Sequence, residues 1–151
     1  MSMTPFVVST KAVPLAVRTD GEAVVEIRLN ETARRRPATP FERHVARQLR
    51  EYFNGVRRDF DFPVRPEGSP FERKVWKELL KIPFGETRTY GEIAKKVGKP
   101  NAARAVGQAN NKNPIPIAIP CHRVIANGGL GGYGGGLDLK KRLLELEGAG
   151  A

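Results

Sequence analysis

Cys121 is the only cysteine in the 151-residue chain, and it stands in the stretch PIPIAIPCHRVIANGG, between three prolines and a His-Arg pair. A lone thiol forms no internal disulfide, and with His44 and His122 as the only histidines there is no cluster with zinc-ligand spacing. What remains is a small buried apolar residue or a nucleophile, and the setting favours the nucleophile. Pro114, Pro116 and Pro120 stiffen the approach, and the apolar IPIAI run is expected to pack as an extended segment that holds the thiol in place. His122 follows directly, but neighbours on an extended chain face opposite ways, so a bridging water is the expected link. Helical geometry supplies a third group. In LDLKKRLLELE, Leu139, Leu143, Leu144 and Leu146 define a buried face, and Glu147 projects into it while Glu145 points outward. An inward carboxylate needs a partner. The pattern predicts a Glu147–His122–water–Cys121 relay that removes the thiol proton and leaves a nucleophilic thiolate.

The elements that must position these groups read as an α+β chain in two parts. Residues 5–29 hold short β-branched runs separated by Lys11 and by the turn signal TDGE, which predicts a small antiparallel sheet. A helix follows over TPFERHVARQLREYFNG. Phe41, Val45, Leu49 and Phe53 share one face, Thr39 and Glu42 form a capping box, and Gly55 ends it. The N-terminal sheet-plus-helix domain is expected over 1–58, a connector over 59–68, and a mostly helical domain over 69–151. That second domain opens with another box at Ser69 and Glu72, ahead of a helix with Phe71, Val75, Trp76, Leu79 and Leu80 inward. A third box, Thr89 to Glu92, starts a short helix. Asn101 is expected to cap the next one, AARAVGQANNK. Together these outline a helix-turn-helix over about 89–112, ahead of a cysteine loop over 113–136.

Charge points the same way. Of the net charge of +10, residues 1–65 carry +4 and residues 66–151 carry +6. Residues 88–123 hold seven basic side chains (Arg88, Lys95, Lys96, Lys99, Arg104, Lys112, Arg123) against Glu92 alone. A basic stripe suits phosphate neutralisation. The second helix begins Ala102, Ala103, Arg104, Ala105, and so offers almost nothing polar to base edges. Its small residues permit close approach instead. No apolar run reaches the roughly 18 residues of a membrane span, and the N-terminus lacks the pattern of a signal peptide, so a cytoplasmic protein without membrane contact is expected.

PCHRVI preceded by NPIPIAI, together with GGYGGG, FGETRTYGEIA and AARAVG, resembles the O6-alkylguanine-DNA alkyltransferase family, the methylated-DNA–protein-cysteine methyltransferases. The resemblance runs from about Ser69 to Gly148; the N-terminal half agrees only in layout. It implies direct-reversal DNA repair, in which Cys121 irreversibly accepts an alkyl group from O6 of guanine, and also from O4 of thymine, once per molecule. His122 and Glu147 would act in the relay, Tyr90 would donate to the guanine N3 side, and Asn113 would brace the turn below the cysteine loop. Arg104 would enter the base stack as the damaged nucleotide rotates out, with Ala102 and Ala103 in the minor groove and Thr89, Asn101 and Arg123 also on the DNA. Carbonyls of Cys121 and Val124 would read the guanine amine, with Tyr133, Gly134 and Gly135 walling the pocket. Some relatives place a serine where Gly134 stands, so adducts larger than methyl are expected to fit. No cofactor and no metal are implied; the partner is double-stranded DNA containing O6-alkylguanine, bound by a monomer. Two rivals use some of the same residues, a Cys-His-Glu hydrolase and a non-catalytic binder of alkylated DNA. The first leaves the basic helix pair unexplained and the second needs no thiol.

Overall fold

The computed structural model describes residues 4–149, and these fall into two compact units with the boundary between Pro66 and Glu67. In the first, β1 (Phe6–Val8), β2 (Leu15–Thr19) and β3 (Val24–Leu29) form an antiparallel sheet in that order. Val17 lies opposite Phe6 on one side and Ile27 on the other, so one face collects buried apolar side chains. The Asp-Gly turn joins β2 to β3. Asp20 Oδ1 accepts from the backbone N–H groups of Glu22 and Ala23 at 3.0 and 2.9 Å, and Gly21 takes a φ of 96° that a side chain would disfavour. The helix α1 (Pro40–Phe53) packs against β1. Its predicted capping box is present: Thr39 Oγ1 accepts from Glu42 N–H at 3.1 Å, and Glu42 Oε1 accepts from the N–H groups of Ala38 and Thr39. Val45, Leu49 and Phe53 are buried as the period requires. Phe41 is only half-buried, and Ala46 and Tyr52 complete the apolar face.

The stretch expected as a connector is not free of the first unit. Val24 N–H donates to Pro63 O at 2.9 Å and Arg65 N–H donates to Val24 O at 2.8 Å, so the chain runs parallel beside β3. Phe62 is buried, and its ring lies 5.2 Å from that of Phe60, itself 5.5 Å from Tyr52. The physical reason is the alternation Phe60, Phe62, Val64, a period-two pattern that supplies one more extended edge.

The second unit contains α2 (Pro70–Leu79), β4 (Arg88–Thr89), α3 (Tyr90–Lys96), α4 (Ala103–Asn111), a 3-10 turn over Cys121–Arg123, β5 (Val124–Ile125) and α5 (Leu137–Leu146). The boxes at Ser69/Glu72 and Thr89/Glu92 are both formed. Trp76, buried with Val75 and Leu79, donates its indole N–H to Ala109 O at 2.8 Å and so locks α2 to α4. Leu80, expected inward, is 48% exposed because it follows the last helical turn as the C-cap. Asn101 does not cap α4. Ala102 N–H closes a tight turn on Lys99 O, so Asn101 lies inside that turn, and Ala102 takes the cap position without any side-chain bond. β4 and β5 pair in parallel, Arg88 with Val124 and Thr89 with Ile125, which staples the start of α3 to the strand leaving the cysteine turn. Among the described residues no helix is long and apolar enough to cross a membrane.

Glu42 yields a pH test of the first unit. Hydrogen bonds from Arg35, followed by those from the Ala38 and Thr39 amides, hold its carboxyl at about 2, against an ordinary value of 4.5. A depressed carboxyl stabilises the fold fully above its unfolded value and loses that contribution as pH falls toward the folded value. Glu42→Gln should therefore be less stable near neutral pH. It should also lose less stability than the wild type between about pH 5 and pH 2, as read by denaturant titration across that range.

Candidate active site

The segment leading to the thiol is held by strain and by one side chain. Ile117 adopts a φ of 74°, a conformation that β-branched residues rarely enter and that costs on the order of 1–3 kcal/mol. Asn113 spans this turn: its Oδ1 accepts from Ile115 N–H at 2.9 Å, and its Nδ2 donates to Ile119 O at 2.8 Å. The bracing expected of Asn113 is therefore a two-ended clamp across the strained residue. Ile115, Ile117 and Ile119 are all buried, so the IPIAI run anchors the loop in the core. Cys121 to Arg123 then form the 3-10 turn rather than an extended pair. Buried Asn110, which the sequence reading passed over, donates Nδ2 to Cys121 O at 3.3 Å.

Glu147 is buried at the C-cap of α5 and gathers the charged centre of the site. Its Oε2 accepts from His122 Nε2 at 2.7 Å. Arg123 binds it in a fork, Nε to Oε1 at 2.8 Å and Nη2 to Oε2 at 3.0 Å, and Nη1 donates to Ile82 O at 2.7 Å. Arg123 was expected on DNA. It is instead 7% exposed and engaged inside the protein, because a buried carboxylate demands a cation and the next residue along the turn supplies it. A carboxylate accepting from this guanidinium has no proton to give, so the His122 proton sits on Nε2 and Nδ1 is the basic nitrogen. Burial lowers the His122 pKa more than Glu147 raises it, which keeps the ring neutral and competent as a base.

Burial also acts on the thiol. It pushes Cys121 up to about 11, opposed by hydrogen bonds from the Asn113 and Tyr133 side chains and by the positive charge of Lys140. The resting site thus holds a thiol, not the standing thiolate that the relay was expected to leave. Desolvation favours the protonated form at neutral pH, which assigns removal of the thiol proton to the relay. Lys140 is the main group that sequence reading missed. It is fully buried, with Nζ donating to Val124 O at 2.7 Å, to Gly132 O at 3.1 Å and to Leu130 O, and burial brings its pKa down to about 8. The signal was available, since Lys140, Leu143, Leu144 and Glu147 follow one helical face at i, i+3, i+4 and i+7.

Tyr90, at the start of α3, is held neutral by burial, and Gly132 N–H donates to its oxygen, so the phenolic hydrogen is the part left to donate. A side chain at Gly131, with φ at 73°, would come within 2.7 Å of that oxygen, and one at Gly107 would touch the ring at 3.8 Å. Gly131 therefore admits the tyrosine to the site, whereas Gly107 lies at ordinary contact distance from its ring. Tyr133 is half-buried beside the sulfur, so it does more than wall the pocket; Gly135 is half-buried, and Gly134 faces open space within 4 Å. The Val124 carbonyl already accepts from Lys140, and the Cys121 carbonyl accepts both from Asn110 Nδ2 and from the Val124 N–H that closes the 3-10 turn, so both lone pairs of Cys121 O are engaged.

The helix-turn-helix forms beside this pocket. Arg104 is exposed on the first turn of α4, Ala102 and Ala103 are half-buried, and exposed Asn101 precedes them. Thr89 Oγ1 is occupied in capping α3. The basic stripe is narrower than its sequence suggested. Arg123 is internal, Arg88 pairs with Glu86, Lys112 approaches Glu72, and Lys99 lies over the Phe71 ring. Lys95, Lys96 and Arg104 form no ion pair among the described residues, and Lys95 acts on Glu92 through its charge alone.

Residues 70–149 match the family model described as 6-O-methylguanine DNA methyltransferase, DNA binding domain. The methylated-DNA–protein-cysteine methyltransferase of Methanosarcina acetivorans is 59% identical over 110 residues, spanning 72% of this chain and 70% of that protein. The crystal structure of Mycobacterium tuberculosis O6-methylguanine methyltransferase superposes with a TM-score of 0.86 at 42% identity, covering 98% of this chain and 94% of that one. Mycobacterium tuberculosis OGT in complex with DNA gives 0.86 at 43% identity, covering 96% and 92%.

Arg123 separates an internal role from a DNA contact. Arg123→Met would strand a buried carboxylate on one partner, so denaturant titration should show a loss on the order of 3–5 kcal/mol. A phosphate-contacting arginine would behave otherwise, leaving stability unchanged and reducing the salt slope of DNA binding by about one.

Proposed function

Because the chain belongs to the 6-O-methylguanine DNA methyltransferase family, we propose how its residues divide the work of that chemistry. The protein is a methylated-DNA–protein-cysteine methyltransferase that repairs DNA by direct reversal, moving an alkyl group from the base to a cysteine, and Cys121 is the only cysteine it has. The observation that carries the assignment of roles is the Glu147 carboxylate, forked by Arg123 and bonded to His122, in the turn that holds that thiol.

On this reading the damaged nucleotide leaves the stack and enters the pocket, since O6 is out of reach inside a duplex. Arg104 fills the space left behind, and the small residues at the start of α4 allow approach to the minor groove. The Cys121 proton passes through a water to His122 Nδ1, and Glu147 supports the imidazolium that forms. The sulfur attacks the alkyl carbon in line; the C–S bond forms as the C–O6 bond breaks, and the electron pair passes into the base. Tyr90 donates toward N3 while that charge builds, and the net movement is of one proton from the thiol to the released guanine. Tyr133 and Asn113 support the charge on sulfur before transfer. The Val124 carbonyl, beside its bond to Lys140, accepts the exocyclic amine. O4 of thymine presents the same alkyl–oxygen bond. Neither a cofactor nor a metal has a step to perform, a monomer in the cytoplasm suffices, and a thioether does not hydrolyse, so each molecule acts once.

Incubation with an O6-methylguanine duplex should add one methyl mass to Cys121 by intact-mass spectrometry, and Cys121→Ala should add none while still binding DNA. Turnover sustained beyond one equivalent would overturn the single-use mechanism and favour a hydrolase.

The relay has its own signature. In His122→Ala, transfer should be slow at neutral pH and climb as pH rises toward the thiol value of about 11, whereas the wild type should respond less steeply. Superimposable pH profiles would make the histidine structural. Arg104→Ala should slow transfer from duplex DNA far more than transfer from a free O6-alkylguanine base.

A further inference from the structure

We propose that the solvent face of α1 is a second phosphate-binding surface, carried by Arg43, Arg47 and Arg50 in the first unit and fitted to the backbone of duplex DNA. A groove of about 560 Å³ runs along that face, lined by these three arginines and His44 with Pro37 and Pro40 at its end. All three arginines are exposed.

Charge in this unit is segregated. Arg18 and Arg28 pair with Glu26, Arg35 with Glu42, Arg57 with Glu51, and Arg65 with Asp20. Glu42 and Glu51 are the only acids of α1, and both are taken by arginines from outside the helix. Asp61, the carboxylate at the groove margin, is bonded by His44 and Gln48. Among the described residues Arg43, Arg47 and Arg50 therefore have no carboxylate partner, while like charges three and four residues apart on a helix repel. Such a cluster weakens the free protein and is relieved by a polyanion.

Spacing selects the polyanion. Seven residues of helix separate Arg43 from Arg50, about 10.5 Å along its axis. Three nucleotides of one DNA strand rise by roughly the same amount, at about 3.4 Å each. Two of the guanidiniums are already oriented: Arg43 Nη1 donates to Ala38 O at 2.6 Å, and Arg47 Nη2 lies 3.1 Å from His44 Nδ1. A planar fork fixed in this way suits phosphate oxygens. The face holds no small-residue edge like that of α4 and would read backbone alone, so its contribution is sequence-independent retention on DNA, damaged or not. The proposal rests on the protein acting on DNA, and the experiment keeps the two claims apart.

The triple variant Arg43→Gln, Arg47→Gln, Arg50→Gln in the full chain should bind undamaged duplex more weakly, with the slope of log affinity against log salt reduced by about 2 to 3. The corresponding triple Arg→Lys variant should recover most of that slope, because phosphate neutralisation needs the charge first. Transfer from a free O6-alkylguanine base should match the wild type, and the unfolding midpoint should be equal or slightly higher, because the like-charge repulsion along the helix is gone. An unchanged slope in a folded triple variant overturns the proposal, as does a change confined to self-association measured without DNA, which would make the face a contact between copies. Should the triple variant fail to fold, Arg47→Gln alone should lower the slope by about one, and no change there is equally fatal. Failure of the wild type itself to react with the free base would strike the alkyl-transfer reading and leave the salt slopes to stand or fall separately.

Discussion

A carboxylate without water around it is the constraint from which the second unit is organised. Glu147 is 5% exposed, and an unpaired charge so placed would be neutralised or expelled. Arg123 answers it with a fork and extends a third bond to Ile82 O, so the chain after α2, the cysteine turn and the end of α5 are tied at one point. His122 then has only one arrangement that satisfies Nε2, which sets its tautomer. Removing any member leaves the others in a poorer state than if none were there, and this makes the cluster both a structural knot and the source of the basic nitrogen.

The dry interior that strengthens this cluster works against the thiol. Burial holds Cys121 protonated and lowers the charge-carrying capacity of His122 and Lys140 together, so the resting pocket contains little reactive anion. For a protein used once, that is a sensible resting state: the sulfur stays inert toward water-borne electrophiles until a base fills the pocket. Lys140 contributes in two ways. Its charge opposes the burial of a thiolate, and its bonds to the Val124, Leu130 and Gly132 carbonyls close the glycine loop over the Tyr90 side of the site.

Positive charge is distributed by role rather than by sequence density. The stripe over residues 88–123 loses Arg123 to the interior and several others to local partners, leaving Lys95, Lys96 and Arg104 near the helix-turn-helix. The first unit shows the opposite: its eleven arginines look scattered in sequence, yet carboxylates take five of them, and three of the other six stand in line along α1. A run of cations becomes a nucleic-acid surface only after internal carboxylates have taken their share.

Local rules determined much of this protein without tertiary information. Three capping boxes, the Asp-Gly hairpin and the apolar faces of α1 and α5 each follow from residues a few positions apart, where propensity and periodicity act directly. The inward placement of Glu147 was legible for the same reason, and so was the clamp role of Asn113 once the family resemblance was recognised. Other features depend on residues far apart in the chain. The parallel pairing of β4 with β5 involves two residues on each side and carries no period, and the 3-10 form of the cysteine turn is imposed by what packs around it. The fate of Arg123 was decided by Glu147, 24 residues away, and that of Lys140 by three carbonyls in a loop without regular structure. Sequence determines which side chains face inward along an element. Only tertiary structure decides which buried charge meets which partner, because burial makes that pairing obligatory without stating where along the chain the partner lies.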